Sequence, residues 1–161
     1  MSRISHVLAG CAATCYLKGE QGSNELELLL ADRRNFVVIH QLTLMEVYSQ
    51  FLKLDGREVA ETAWTGCTSV ASIEAECSAD FLKRAARWLA SDHLTVGEAV
   101  AGATAEDNAA VLVTFAEGPL TQAAARSGQE CLVLTSQPGE PAVSAAIAEG
   151  AEPLASHPSG G

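Results

Sequence analysis

Short apolar runs alternate along the chain with longer stretches in which apolar residues recur at helical spacing. Ile4, Val7 and Leu8 predict a first short strand. A helix follows over 11–18, ended by Gly19. Leu26, Leu29 and Leu30 share one side of a second helix over 24–32. Phe36, Val37, Val38 and Ile39 form a continuous apolar run of strand length, the pattern of a parallel strand buried on both faces. Leu44, Val47, Tyr48 and Phe51 follow the i, i+3, i+4, i+7 rule of a helix that starts at Thr43 and stops at Asp55 and Gly56. A helix is predicted over 57–66 and a weak strand over 68–73. The next helix covers 79–90, with Phe81, Leu82, Ala85, Ala86 and Leu89 on its apolar side. Val96, Ala99, Val100 and Ala103 mark another. Strands over 111–114 and 131–134 flank a helix over 119–126, where Pro119 behind Gly118 suits the first helical position.

Strands alternating with helices predict an α/β fold: a central parallel sheet covered by helices on both faces, hence three layers, α/β/α. Crossovers are expected to be right-handed. A site is expected beyond the carboxyl ends of the strands. From 136 onward Pro138, Gly139, Pro141, Pro153, Pro158 and a closing Ser-Gly-Gly predict a flexible tail. A helical turn or two over 142–149 is the one exception. The predicted division is a domain over 1–135 and a tail over 136–161, with no internal repeat.

A length of 161 residues suits one domain with its own core. Hydrophobic residues make up 48% but aromatics only 5%, so Ala, Leu and Val must build that core. No apolar run approaches the ~20 residues of a membrane span. The first residues lack the charged start and long apolar centre of a signal peptide, and the expected location is the cytoplasm.

Charge and cysteine usage narrow the chemistry. The net charge is −10, and a chain that grips nucleic acid usually carries a basic face. Arg33–Arg34 and Lys83, Arg84, Arg87 are the basic clusters, read as solvated helix faces, so RNA binding is possible but not favoured. Cys11, Cys15, Cys67, Cys77 and Cys131 are odd in number and lack C-x-x-C spacing. They read as small buried thiols. His6, His40, His93 and His157 are scattered, and none pairs with a cysteine at zinc spacing.

Four points of the chain should converge at the carboxyl edge of the sheet. They are the residues after Leu8, the helix start at Thr43, the helix start at Thr95, and the residues after Thr114. The segments read VLAGCAATCYLKGE, LTLMEV, GEAVAGATA and LVTFAEG. In this order and spacing the chain resembles the PIN-domain family, in the layout of VapC-type toxin ribonucleases from toxin–antitoxin pairs. The resemblance covers roughly 4–134. It implies a PIN-like α/β/α domain, four carboxylates that hold Mg²⁺ or Mn²⁺ for RNA cleavage, a homodimer, and an antitoxin-like protein partner.

Against the family pattern, Ala9 stands where the first strand should end in Asp. Glu46 keeps the second acid, and Glu98 keeps an acid at the third position. Ala116 takes the fourth, with Glu117 one step later. Mg²⁺ needs hard oxygen ligands, which a methyl group cannot supply. One step along an extended segment turns a side chain to the opposite face, so Glu117 could replace the lost acid only through a local bulge. Glu20, at the far end of the first helix, is not expected to reach the site.

The two retained glutamates also have structural roles open to them. Thr43-x-x-Glu46 and Thr95-x-x-Glu98 both read as capping boxes, and the helix dipole favours an acid there. Cys11 falls where the family often has Ser or Thr, and no His is placed to activate its thiol.

Three functions follow from these residues. The first is a catalytically inactive PIN-like domain acting as a binding or scaffolding module, with no cofactor. The second is a Mg²⁺- or Mn²⁺-dependent endoribonuclease using Glu46, Glu98 and Glu117, with Glu46 and Glu98 as the metal ligands. The third is a small-molecule binder whose vacated pocket is lined by Ala9, Cys11 and Ala116.

Overall fold

The apolar runs lie side by side as strands of one sheet. The computed structural model describes residues 3–91 and 93–134. In chain order the elements are β1 (His6–Leu8), α1 (Gly10–Lys18), α2 (Ser23–Ala31), β2 (Val37–His40), α3 (Gln41–Leu54) and α4 (Arg57–Val70). They continue with β3 (Ser72–Glu74), α5 (Ala79–Ser91), α6 (Val96–Asn108), β4 (Val111–Thr114), α7 (Pro119–Ser127) and β5 (Cys131–Val133). The sheet order is β3-β2-β1-β4-β5, and every pairing is parallel.

The register explains the two cores. Val7 sits opposite Val38 on one side and Leu112 on the other, and all three face the same way. They bury Phe81, Ala85 and Trp88 of α5, the Ala-rich α6, and Leu120, Ala123 and Ala124 of α7. Leu8, Ile39 and Val113 face the opposite side and bury residues of α1, α2, α3 and α4. The result is the three-layer α/β/α arrangement expected of continuous apolar strands. Among the described residues no helix is long and apolar enough to cross a membrane.

Several sequence expectations are corrected. The predicted strand over 68–73 is shorter: 68–70 are the last turn of α4, and only Ser72–Glu74 pairs with β2. Gly66 does not break α4, because it faces α1, where a Cβ would come within 2.7 Å of Leu17. Thr68 lies in that last turn, and its hydroxyl, which could otherwise compete for the backbone, donates back to the carbonyl of Trp64 at 3.0 Å. Arg33 and Arg34 sit in the turn after α2 rather than on a helix face. On α5 the buried side is Phe81, Ala85 and Trp88, while Leu82 and Leu89 are exposed. Trp88 lies flat on the bare backbone of Gly102 in α6 and donates its indole N–H to Glu106 at 2.7 Å. The tail predicted over 136–161, with its helix over 142–149, lies outside the described residues.

The start of α3 also differs. His40, not a threonine, caps it: the Nδ1 atom of His40 accepts from the Leu42 N–H at 3.2 Å. That bond fixes the tautomer, so Nε2–H donates to the Glu76 carbonyl at 2.9 Å. The ring is wholly buried and stacked on Phe81.

Candidate functional site

Chain direction across the sheet reverses between β1 and β4, because β2 and β3 build outward on one side and β5 on the other. A crevice forms beyond the carboxyl ends of strands at such a switch point. Here it is a cleft of about 240 Å³ that runs between α1 and α3 and reaches the N-terminus of α6. Cys11, Glu20, Glu46, Thr95, Glu98 and Phe115 all contribute to its wall.

Thr95 organises the acidic end. It caps α6, and its hydroxyl accepts from the Glu98 N–H at 3.1 Å. The Glu98 carboxylate returns to accept from the Thr95 N–H at 2.8 Å, which completes the capping box expected from the sequence. The same hydroxyl donates its proton to Oε2 of Glu46 at 2.8 Å. Oε1 of Glu46 accepts from the Gly97 N–H, also at 2.8 Å. Both oxygens of Glu46 therefore fasten α3 to the start of α6, where the helix dipole favours negative charge.

The predicted capping box of Thr43 with Glu46 does not form. Because α3 begins at Gln41, Thr43 lies inside the first turn and is buried. Its hydroxyl donates across to the Gly97 carbonyl at 2.7 Å. Gly97 is thus held from both ends by α3. Glycine leaves room for this approach: a Cβ would push the Glu46 carboxylate out of its place and sit 3.2 Å from the Thr43 backbone.

The remaining predicted positions do not converge on the cleft. Ala9 is wholly inaccessible and packs into the core beneath α6. It is the N-cap of α1, with extended backbone and no side-chain cap. Ala116 and Glu117 are exposed in the bend after β4, and neither lines the cleft. The pocket predicted from Ala9, Cys11 and Ala116 therefore keeps only Cys11. Glu20, expected to be out of reach, lines the cleft instead. The groove extends a helical turn along each wall, past Thr14 of α1 and Gln50 of α3, and so reaches the chain beyond Gly19. Gln50 falls four residues after Glu46, and that helical spacing was the available signal for it.

The cysteines read as buried thiols are buried only at Cys15 and Cys67; Cys11 and Cys77 are exposed. The Cys11 sulfur nonetheless lies against the cleft wall and accepts a hydrogen bond from the Phe115 N–H at 3.3 Å. Burial pushes its thiol above the ordinary range, and the nearby Glu98 carboxylate adds to the rise. A thiol so placed is protonated at neutral pH and is a poor nucleophile.

A divalent cation of the Mg²⁺ type would need several free oxygen ligands here. Among the described residues no group of three or more His, Cys, Asp or Glu side chains could hold a metal ion. Glu46 and Glu98 already accept hydrogen bonds from Thr95 and Gly97. The residues present do not fit such an ion.

No known family's sequence profile matches the chain, and no curated protein matches it. Solved structures do. VapC20 of Mycobacterium tuberculosis, described as a sarcin-ricin loop cleaving toxin, is 18% identical over 74% of this chain and 95% of its own, with a TM-score of 0.59. VapBC2 of Rickettsia felis, bound to a DNA fragment from its promoter, is 17% identical over 74% and 92%, also with a TM-score of 0.59. VapBC-1 of nontypeable Haemophilus influenzae is 13% identical over 83% and 100%, with a TM-score of 0.61. The chain has the PIN-like fold of these toxins.

Proposed function

We propose that this chain is a PIN-like domain that no longer cleaves RNA and acts as a binding or scaffolding module. The observation that carries this reading is the Thr95 clasp. Of the two acids kept from the family pattern, Glu46 holds α3 to the start of α6, and Glu98 closes the capping box of α6 on Thr95. Ala9 and Ala116 supply no oxygen, and Glu117 stands outside the cleft. An antitoxin-like protein and a second copy of the chain are the partners this reading favours. The VapBC structures of R. felis and H. influenzae support the first. RNA is not favoured, given a net charge of −10.

The experiment is a melting curve across a Mn²⁺ titration, paired with an RNA cleavage assay. A native-state ligand raises the melting temperature. The expected result is no shift at millimolar Mn²⁺ and no cleavage. A saturable shift, with cleavage abolished by Glu98→Gln, overturns the reading.

Glu20 favours a second reading. With it, three glutamates line the cleft, though as placed they form no group that could hold a metal ion, so an altered-site Mg²⁺- or Mn²⁺-dependent endoribonuclease would have to draw them together, using Glu20 rather than Glu117. The same titration decides between them: under this reading Glu20→Gln lowers both the Mn²⁺ shift and the cleavage.

A further inference from the structure

The opposite edge of the sheet carries the opposite chemistry. A hollow of about 650 Å³ opens where the amino ends of β1, β2 and β4 meet. Arg3, Arg33 and Arg34 line it, together with the apolar side chains of Ile4, Phe36 and Val111. The chain has only 10 Lys and Arg against 20 Asp and Glu, and three of those cations gather here.

The groups around them leave positive charge uncompensated. Arg34 is paired with Asp32 at 2.7 Å. Arg33 makes no ion pair among the described residues. Arg3 donates at 3.5 Å to the carbonyl of Asn108, a neutral acceptor. Glu130 is the other carboxylate that acts on this edge, through His6. Burial holds the His6 ring below its ordinary range, so it adds no charge at neutral pH. Three guanidiniums thus line the hollow, one of them paired, and no carboxylate is among its lining residues, on a chain of strongly negative net charge.

The frame is also fixed in advance. The Ser5 hydroxyl accepts from the Phe36 N–H at 2.8 Å and donates to the Phe36 carbonyl at 3.2 Å. The Arg33-bearing turn is closed by the Asn35 N–H on the Asp32 carbonyl at 2.9 Å, and the Asn35 side chain is tied to the Leu29 carbonyl.

We propose that this hollow binds a phosphomonoester of nucleotide size, with Arg3 and Arg33 on the phosphate and Ile4, Phe36 and Val111 against its body. A guanidinium fork matches phosphate oxygens in two-point geometry. The volume lies within the roughly 300–1,000 Å³ of small-molecule sites, so a bare phosphate would leave most of it unfilled. The apolar lining then selects an anion that carries an apolar or aromatic body. This site is independent of the acidic cleft and of any reading of it.

The test titrates the full chain at low ionic strength with adenosine monophosphate, inorganic phosphate and adenosine, followed by calorimetry and melting temperature. The monophosphate is expected to bind saturably and raise the melting temperature, with phosphate weaker and adenosine at least about tenfold weaker. Arg3→Gln/Arg33→Gln is expected to lose at least about tenfold in affinity for the monophosphate. Both side chains are exposed, so its unliganded melting temperature should match the parent. Glu98→Gln, at the other edge, should bind the monophosphate as the parent does. The proposal is overturned by no saturable binding of the monophosphate at millimolar concentration, by equal affinity for adenosine, or by full affinity in the double variant. Tighter binding in Glu98→Gln would place the ligand in the cleft, where that carboxylate repels an anion, and overturns it too.

Discussion

The hydroxyl of Thr95 lies 2.8 Å from a carboxylate oxygen of Glu46, although 49 residues separate them in the chain. The same hydroxyl accepts the Glu98 N–H, so one oxygen joins the cap of α6 to the flank of α3. Two helices from different crossovers are locked together at the carboxyl edge of the sheet.

Thr95→Ala removes the cap and one bond to Glu46 together. The expected cost is about 1–3 kcal/mol of stability. Glu46→Ala should cost a similar amount, because the Gly97 N–H also loses its acceptor. The two changes should not add, since the pair shares a bond. Denaturant unfolding of both single variants and the double checks this. Full additivity would mean that the clasp contributes nothing as a unit.

Gly97→Ala would gain helix propensity by about 1 kcal/mol on an open helix. Here the new methyl runs into the Glu46 carboxylate and the Thr43 backbone. A net loss of about 1–3 kcal/mol is expected. In the Glu46→Ala background the loss should shrink, because half of the obstacle is gone. A Gly97→Ala protein more stable than its parent would show that α3 and α6 are not pressed together there.

The Thr95 clasp also marks where the sequence stops being legible. Strands β2, β4 and β5 could be read from it because each rests on a short continuous apolar run, and β4 matches its predicted 111–114 span, whereas β3, with Ile73 its single apolar residue, was placed too early. The capping box of Thr95 with Glu98 was legible because its partners are three residues apart. Thr43 and Glu46 have the same local spacing, yet both side chains bond across to α6 instead. Local spacing cannot tell these outcomes apart, because helix packing decides which partner is nearer. Glu20 was misplaced for a related reason: the cleft follows a groove between two helices, and only the packed fold defines how far that groove extends.

Asp32 sets an acid-side dependence. Hydrogen bonds from the Arg34 side chain and then its backbone N–H hold the Asp32 carboxyl at about 2, down from 3.8. The folded value lies below the unfolded one. The contribution is therefore fully present above the unfolded value and is lost as pH falls from about 4 through about 2. The pair is solvent-exposed, so the effect is small and weakens with salt. Melting curves of the parent and of Asp32→Asn should differ by a constant small amount above about pH 5, and that difference should vanish toward pH 2. A gap that widened in acid would reverse the sign and refute the assignment.

Cysteine reactivity tests the electrostatics of the cleft. Cys77 is exposed, and its sulfur accepts only a long contact from Gln41 at 3.6 Å. Cys11 is exposed too, but desolvation of its sulfur against the cleft wall, with the Glu98 carboxylate nearby, raises its thiol. Cys67 is buried among α4 and its neighbours, and its thiol is pushed up to about 11 from 9.0. A thiol titrating there carries about a hundredfold less thiolate at neutral pH than one at the ordinary value. Alkylation of the native protein, followed residue by residue with mass spectrometry, should therefore label Cys77 first, Cys11 more slowly and Cys67 last. Glu98→Gln should quicken Cys11 and leave Cys77 unchanged, because only the cleft loses a negative charge. Cys11 labelled ahead of Cys77 would reveal an activated thiol at the end of β1, and the cleft would then have to be reread as a nucleophilic site.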